Sequence, residues 1–221
     1  MKITKYPQSC FLIETSGKRI LIDPGCIDYS DELLKNDWKD VDLVLITHKH
    51  GDHCHLHAIK ELQKSAVIYT TKEVNNCYPE IKANMIVVGD IVEFESIKIE
   101  VVKAVHGYHP ILKSNNNRIF ENVGYIIEDK NVRLYHTSDS ICFYNEYKCD
   151  VLLVPICNHA VVMGPWEASL FAKDVGAKLV VPMHYDSDKH PRDLNQVEEE
   201  FKNQNLNYKI LSIGESIEFN N

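Results

Sequence analysis

The sequence predicts one α/β domain made of two sheets with helices on the outside. Three observations carry that expectation. Short apolar runs rich in β-branched residues recur through the first two-thirds of the chain. The last third changes to strand–helix–strand–helix–strand order. No repeat, low-complexity tract or linker divides the 221 residues, so a single domain spanning 1–221 is the economical division.

The elements follow in order. Residues 9–15 (SCFLIET) and 18–23 (KRILID) read as strands around a Ser16–Gly17 turn, a hairpin pattern. Residues 41–47 (VDLVLIT) are continuously apolar, which suits a strand covered on both faces. Leu56, Ile59 and Leu62 give 55–65 a helical spacing, and 66–71 (AVIYTT) return to strand. Further strands are expected at 85–88 (MIVV), on both sides of a turn at Ser96 within 91–105, at 122–129 and at 131–139. Residues 107–120 interrupt them with a polar stretch containing three consecutive asparagines, read as a long loop able to act as a flap. After that come a buried strand at 150–155, a helix at 165–176 with Pro165 in its first turn, a strand at 178–184, a helix at 191–205 and a closing strand at 208–213 (YKILSI).

Composition narrows the function. The formal charge is −8, and an acidic surface repels phosphate backbones, which argues against nucleic acid as a partner. The N-terminus lacks a charged region followed by a long apolar one, and no apolar run reaches the length of a membrane span, so neither export nor a membrane partner is expected. The seven cysteines are odd in number and scattered, without a C-x-x-C pair. Reduced, mostly buried thiols in a cytoplasmic protein follow from that pattern. The sequence leaves a homo-oligomer open.

The chemistry is concentrated in THKHGDHCH, residues 47–55. Imidazoles and carboxylates fill cores poorly, and burying them unpaired is costly. A metal accounts for the crowding. His48 and His50, two apart on a loop after a strand, can converge on one ion. Asp52 and His53 would point to different sides of the loop, where they can serve a second. Such donors suit zinc, iron or manganese. Gly51 is expected to let the loop turn tightly.

THKHGDH is similar to the T-H-x-H-x-D-H signature of the metallo-β-lactamase superfamily, in the same strand–loop–helix context. The resemblance extends over nearly the whole chain, and residues 161–186 (VVMGPWEASLFAKDVGAKLVVPMHYD) resemble a branch of small cytoplasmic hydrolases similar to the ascorbate-6-phosphate lactonases. The resemblance implies a four-layer αββα sandwich with two divalent ions, zinc or else manganese or iron, at the edge of the sheets. It implies His48, His50 and His106 on the first ion, with His109 competing with His106. Asp52, His53 and His184 would hold the second ion, and Asp139 would bridge. Ser138 and Ser140 flank Asp139 where the family has glycine and threonine. Asp23, in LIDPG, would support the ligands from behind. His136 is read as packed, Cys54 as structural, and His55 and His57 as exposed.

The activity implied is hydrolysis of an ester, lactone or phosphodiester of a small anionic substrate by a hydroxide held on the dinuclear centre. Asp52 would be catalytic as well as ligating, accepting or relaying the proton. Substrate contacts are expected from His109, Lys113 and Arg118 in the long loop and from Asn158 or His159. Tyr185 stands either as an oxyanion partner or as packing. The alternatives are a non-catalytic metal-binding or sensing domain, which predicts a broken ligand set, and a nucleotide phosphodiesterase or nuclease. Diiron relatives of the same fold typically carry H-x-E and a fused flavin domain, which His50 and the chain length disfavour.

Overall fold

A computed structural model describes residues 1–108, 118–158, 161–188 and 191–220. The first six strands are β1 (Lys2–Lys5), β2 (Phe11–Thr15), β3 (Lys18–Ile22), β4 (Leu43–Leu45), β5 (Val67–Thr70) and β6 (Asn84–Met85). They form one sheet, which β13 (Ser216–Glu218) completes in the order β13-β1-β2-β3-β4-β5-β6. The second sheet runs β12-β11-β10-β9-β8-β7. Its strands are β7 (Ile91–Phe94), β8 (Ile97–Lys103), β9 (Val123–Asp129), β10 (Val132–His136), β11 (Val151–Pro155) and β12 (Leu179–Met183).

Burial explains the layers. Alternate residues of the inner strands, among them Ile13, Ile20, Leu43 and Leu45 of the first sheet and Ile99, Tyr125, Ile127 and Leu153 of the second, form one apolar cluster between the sheets. The residues of opposite parity face outward and need covering. On the first sheet α2 (Leu56–Leu62) and α3 (Lys72–Cys77) cover Val44, Ile46 and Ile68. On the second, α4 (Pro165–Val175) and α5 (Leu194–Asn203) cover Ile126, Leu152, Val154 and Val180 with Phe171, Val175, Val197 and Phe201. The result is the expected αββα sandwich. The terminal turns of α4 are well specified: the Glu167 carboxylate accepts the Gly164 N–H at 2.9 Å, and Gly176 closes the helix with a left-handed φ of 71°.

Two expected strands are corrected. Residues 208–213 do not form one. Tyr208 makes a single bridge to Val180 at the edge of the second sheet, and Ile210 and Leu211 pack into the two clusters on either side of that sheet rather than into a ladder. Of residues 85–88, only Met85 is in strand, paired with Thr70; Val87 and Val88 lie exposed beyond it. Among the described residues no helix is long and apolar enough to cross a membrane, and no disulfide joins the cysteines.

Candidate metal centre

Topology brings distant residues to one rim. In the first sheet β3 and β4 are parallel, so Asp23 and the segment 47–53 leave their strands at the same end. In the second, β8 and β10 both pair antiparallel with β9, and β10, β11 and β12 run parallel. His106, Asp139 and His184 therefore emerge at one end of that sheet. Cross-sheet hydrogen bonds from Tyr125 Oη to the Ile46 carbonyl (2.9 Å) and from the Val123 N–H to the Thr47 carbonyl (3.3 Å) hold the two ends in register.

The seven residues named from the sequence meet there. Donor atoms of His48, His50, His106 and Asp139 lie within 4.8 Å of one another, and so do those of Asp52, His53 and His184. The sets adjoin: His53 Nε2 is 3.3 Å from Asp139 Oδ1, and His184 Nε2 is 3.2 Å from Asp139 Oδ2 and 3.4 Å from Asp52 Oδ2. His48, His53, Asp139 and His184 are buried, while His50, Asp52 and His106 are half-buried and open the cluster to one side.

Groups behind the cluster set which nitrogen faces it. The Asp23 carboxylate, fully buried, accepts His53 Nδ1–H at 2.7 Å and Thr47 Oγ1–H at 2.7 Å. With its hydrogen committed to Asp23, Thr47 Oγ1 accepts from His48 Nδ1–H at 3.0 Å. His106 Nδ1–H donates to the Gly107 carbonyl at 2.7 Å. Each of these three rings thus presents the lone pair of Nε2, the arrangement of metal-binding histidines anchored through their other nitrogen. Among the described residues, the buried atoms His53 Nε2, His106 Nε2 and Asp139 Oδ1 meet no hydrogen-bond partner of acceptable geometry. Unsatisfied polar atoms at such burial are costly, and a cation resolves all three. The donor set fits divalent metal.

The cluster's electrostatics agree with cation binding. Burial alone would lower the pKa of His53 and raise that of Asp139; the neighbouring opposite charges outweigh it and drive each the other way. Asp52 is held far below the usual carboxylate range, where burial would raise it but His53 and His184 prevail. Burial keeps His48 neutral, with the adjacent His53 adding to the effect.

Left-handed backbone aims several of these groups. Asp23, Ser138 and His184 have φ of 49°, 57° and 62° at the ends of β3, β10 and β12. Such conformations cost non-glycine residues energy and persist where the surroundings over-determine them. Gly51, by contrast, has no left-handed φ, so the turn does not need its freedom. The indispensable glycine is Gly25: a Cβ there would lie 1.8 Å from the Asp52 carbonyl oxygen.

Further supports had no sequence signal of their own. Gln8 accepts the His184 N–H on its carbonyl at 3.0 Å and places its side-chain Nε2 3.3 Å from His184 Nδ1. Asp186 accepts from the Gln8 N–H and from buried Lys5. Lys49, between the two ligand-candidate histidines, pairs with Glu73 at 2.7 Å. Tyr185 has the packed arrangement of the two left open for it: its hydroxyl donates to the Leu211 carbonyl at 2.5 Å and its ring packs under Lys5. His136 is packed as expected, bonded to Ser9 and Ser138. Cys54 is buried, His57 is exposed, and His55 is half-buried against Tyr29. His109, Lys113 and His159 lie outside the described residues.

Comparison with known proteins adds to this geometry. The family model described as the beta-lactamase superfamily domain matches residues 2–184. A UPF0173 metal-dependent hydrolase of Bacillus cereus is 32% identical over 228 residues, covering 98% of this chain and 99% of that protein. Among solved structures, Igni18, a metallo hydrolase from Ignicoccus hospitalis, aligns with a TM-score of 0.79 at 25% identity over 99% of both chains. YhfI of Bacillus subtilis, a metallo-β-lactamase fold protein, aligns with a TM-score of 0.78 at 18% identity over 98% of both chains, a likeness of fold.

Proposed function

The chain belongs to the metallo-β-lactamase superfamily, in the UPF0173 metal-dependent hydrolase family, and from that premise we propose that it is a two-ion hydrolase cleaving an ester, lactone or phosphodiester bond of a small molecule. One observation carries the reading: two adjoining sets of buried and half-buried donors, with Nε2 lone pairs aimed inward and polar atoms left unsatisfied. His48, His50 and His106 would hold one ion and Asp52, His53 and His184 the other. Asp139, with one oxygen toward His53 and the other toward His184, faces both sets. Zinc suits the histidine-rich donors best, and manganese or iron fit the carboxylates as well. When bound, such ions supply Lewis acidity toward a carbonyl or phosphoryl oxygen and lower the pKa of water.

The chain's own groups would do the rest. Asp23 and Thr47 fix the tautomers of His53 and His48, so the donors are pre-aimed. Asp52 is the more open carboxylate, 28% exposed against 3% for Asp139. That exposure suits it to accept the proton of the attacking water and return it to the leaving group. Asp139, shut away from solvent, keeps a purely electrostatic role. A cytoplasmic location is part of the same reading, supported by seven scattered cysteines without a disulfide among the described residues.

Metal analysis of the purified protein, with a hydrolysis screen over lactones, phosphodiesters and β-lactams, tests the proposal. Two ions per chain and turnover abolished in Asp52→Ala are the expected results. Full activity in Asp52→Ala would overturn the mechanism, and metal binding without turnover of any substrate class would favour the sensing alternative.

A further inference from the structure

Two hollows of different character flank the sandwich. The larger, about 630 Å³, lies by the Ser16–Gly17 and Lys130 turns, is lined by charged residues including Lys18, Arg19 and Lys130, and contains no cluster residue. The smaller, about 350 Å³, has His106 in its wall. The rest of that wall is mainly apolar: Ile86, Val87, Val88, Val105 and Phe120. Val87, Val88 and Phe120 are 64%, 49% and 65% exposed. Apolar side chains held open around a concavity mark a surface that something covers.

We propose that this hollow is a substrate subsite, receiving an uncharged, apolar group of the molecule hydrolysed at the adjoining cluster. The inference rests on the metal-centre reading above and names the substrate class for it. Continuity is the first reason. His106 belongs both to the hollow's lining and to the donor cluster, so a group seated against Phe120 and Val88 adjoins the place where a bond would be cleaved. Charge is the second. Among the described residues the lining holds no lysine or arginine; the Lys49 ammonium and the Arg118 guanidinium lie over the Phe120 ring, 5.9 and 5.0 Å from its centre. The charged side chain in the lining, Glu121, is turned to α3, where its carboxylate accepts the Glu73 N–H at 2.7 Å. An alkyl or aryl group loses water contact against this lining at no electrostatic cost. The volume lies near the lower end of the range for ligand pockets, about 300–1,000 Å³, and suits one moiety rather than a whole large ligand.

The wall is also fixed to the donors. Glu73 Oε2 accepts the N–H groups of Phe120 (2.9 Å) and Glu121 (2.8 Å), while Oε1 takes the Lys49 ammonium between His48 and His50. Asn122 donates to the Asp139 carbonyl at 2.7 Å and accepts from Ser138 Oγ at 2.6 Å. Segment 120–122 is thus tied to both donor loops, and the subsite keeps its place relative to the cluster.

Calorimetric titration of the metal-loaded protein with alkyl hydroxamates, from acetohydroxamate to octanohydroxamate, tests this without a known substrate. The headgroup reports the metal centre and the chain reports the hollow. Affinity should rise by about fourfold per added methylene over the first members. Val88→Asp and Phe120→Ala, two exposed positions, should each flatten that rise. A flat series in the wild type, or an unchanged slope in both variants, overturns the subsite while leaving the metal centre intact. Failure of acetohydroxamate itself to bind overturns the metal-centre reading instead. A wild-type dimer in sedimentation that Val88→Asp converts to monomer would assign the hollow to a second copy of the chain, and the proposal would fall.

Discussion

At one rim of the sandwich the strands are closed by tight turns, Ser16–Gly17, Glu95–Ser96 and Lys130–Asn131. Left-handed residues there serve only to reverse the chain. Asp129 at that rim is satisfied locally: its Oδ2 accepts the hydroxyls of Thr15 and Ser16 at 2.6 and 2.7 Å. At the opposite rim, left-handed Asp23, Ser138 and His184 aim side chains into a shared space, and buried polar atoms remain without partners. The same backbone device therefore means different things at the two ends. Which of them bears chemistry is told by imidazole and carboxylate atoms that converge without partners, not by the strain.

Disabling the cluster should give the largest effect. Asp139→Asn keeps the shape but removes the charge shared by both donor sets, and kcat should fall on the order of 10³-fold with loss of bound metal by elemental analysis. Next comes Asp23→Ala, which frees His53 and Thr47; competition with a chromogenic chelator should show metal affinity weakened by about 10–100-fold. Wild-type affinity in that variant would mean the anchoring is dispensable. Gly25→Ala should cost about 1–3 kcal/mol in denaturant melts, because the added methyl overlaps the Asp52 backbone, and it should depress metal affinity as well. At the turn rim, Asp129→Ala should cost about 1 kcal/mol with metal affinity unchanged. An effect of Asp129→Ala on the metal would erase the distinction between the rims.

Proton dependence sharpens the same contrast. Burial tends to raise the Asp129 pKa, but the Thr15 and Ser16 hydroxyls outweigh it and hold the group below its ordinary value. Its contribution is therefore complete above the unfolded value of about 3.9 and is lost as pH falls through the lower folded value. The stability gap between wild type and Asp129→Asn should shrink between pH 7 and pH 3 in urea titrations.

Much of the cluster was legible because His48, His50, Asp52 and His53 share one loop, and because the strand ends at His106, Asp139 and His184 matched a resemblance running the length of the chain. Their supports were not. Gly25 matters through a contact with Asp52 that exists only once β3 and β4 are paired, while Gly51, adjacent in sequence, is replaceable on conformational grounds. Gln8 and Lys49 act through partners 176 and 24 residues away. The long strands and α4 and α5 were visible from their periodicity. By contrast β1, β6 and β13 are too short to show alternation, and α1 (Asp31–Lys35) and α3 span barely more than a turn. The apolar pattern of 208–213 reads as strand although tertiary packing, not a ladder, uses it.

The pairing of β1 with β13, Ile3 against Ile217, and of Met1 N with the Phe219 carbonyl joins the two extremes of the described chain. During synthesis, the loop carrying His48 to His53 leaves the ribosome on the order of ten seconds before His184 does. Through that interval the donor set lacks its His184 member, and the sheet beneath it lacks β13. A metal that needs the whole cluster could therefore be held only after the His184 segment has been made and β12 has paired.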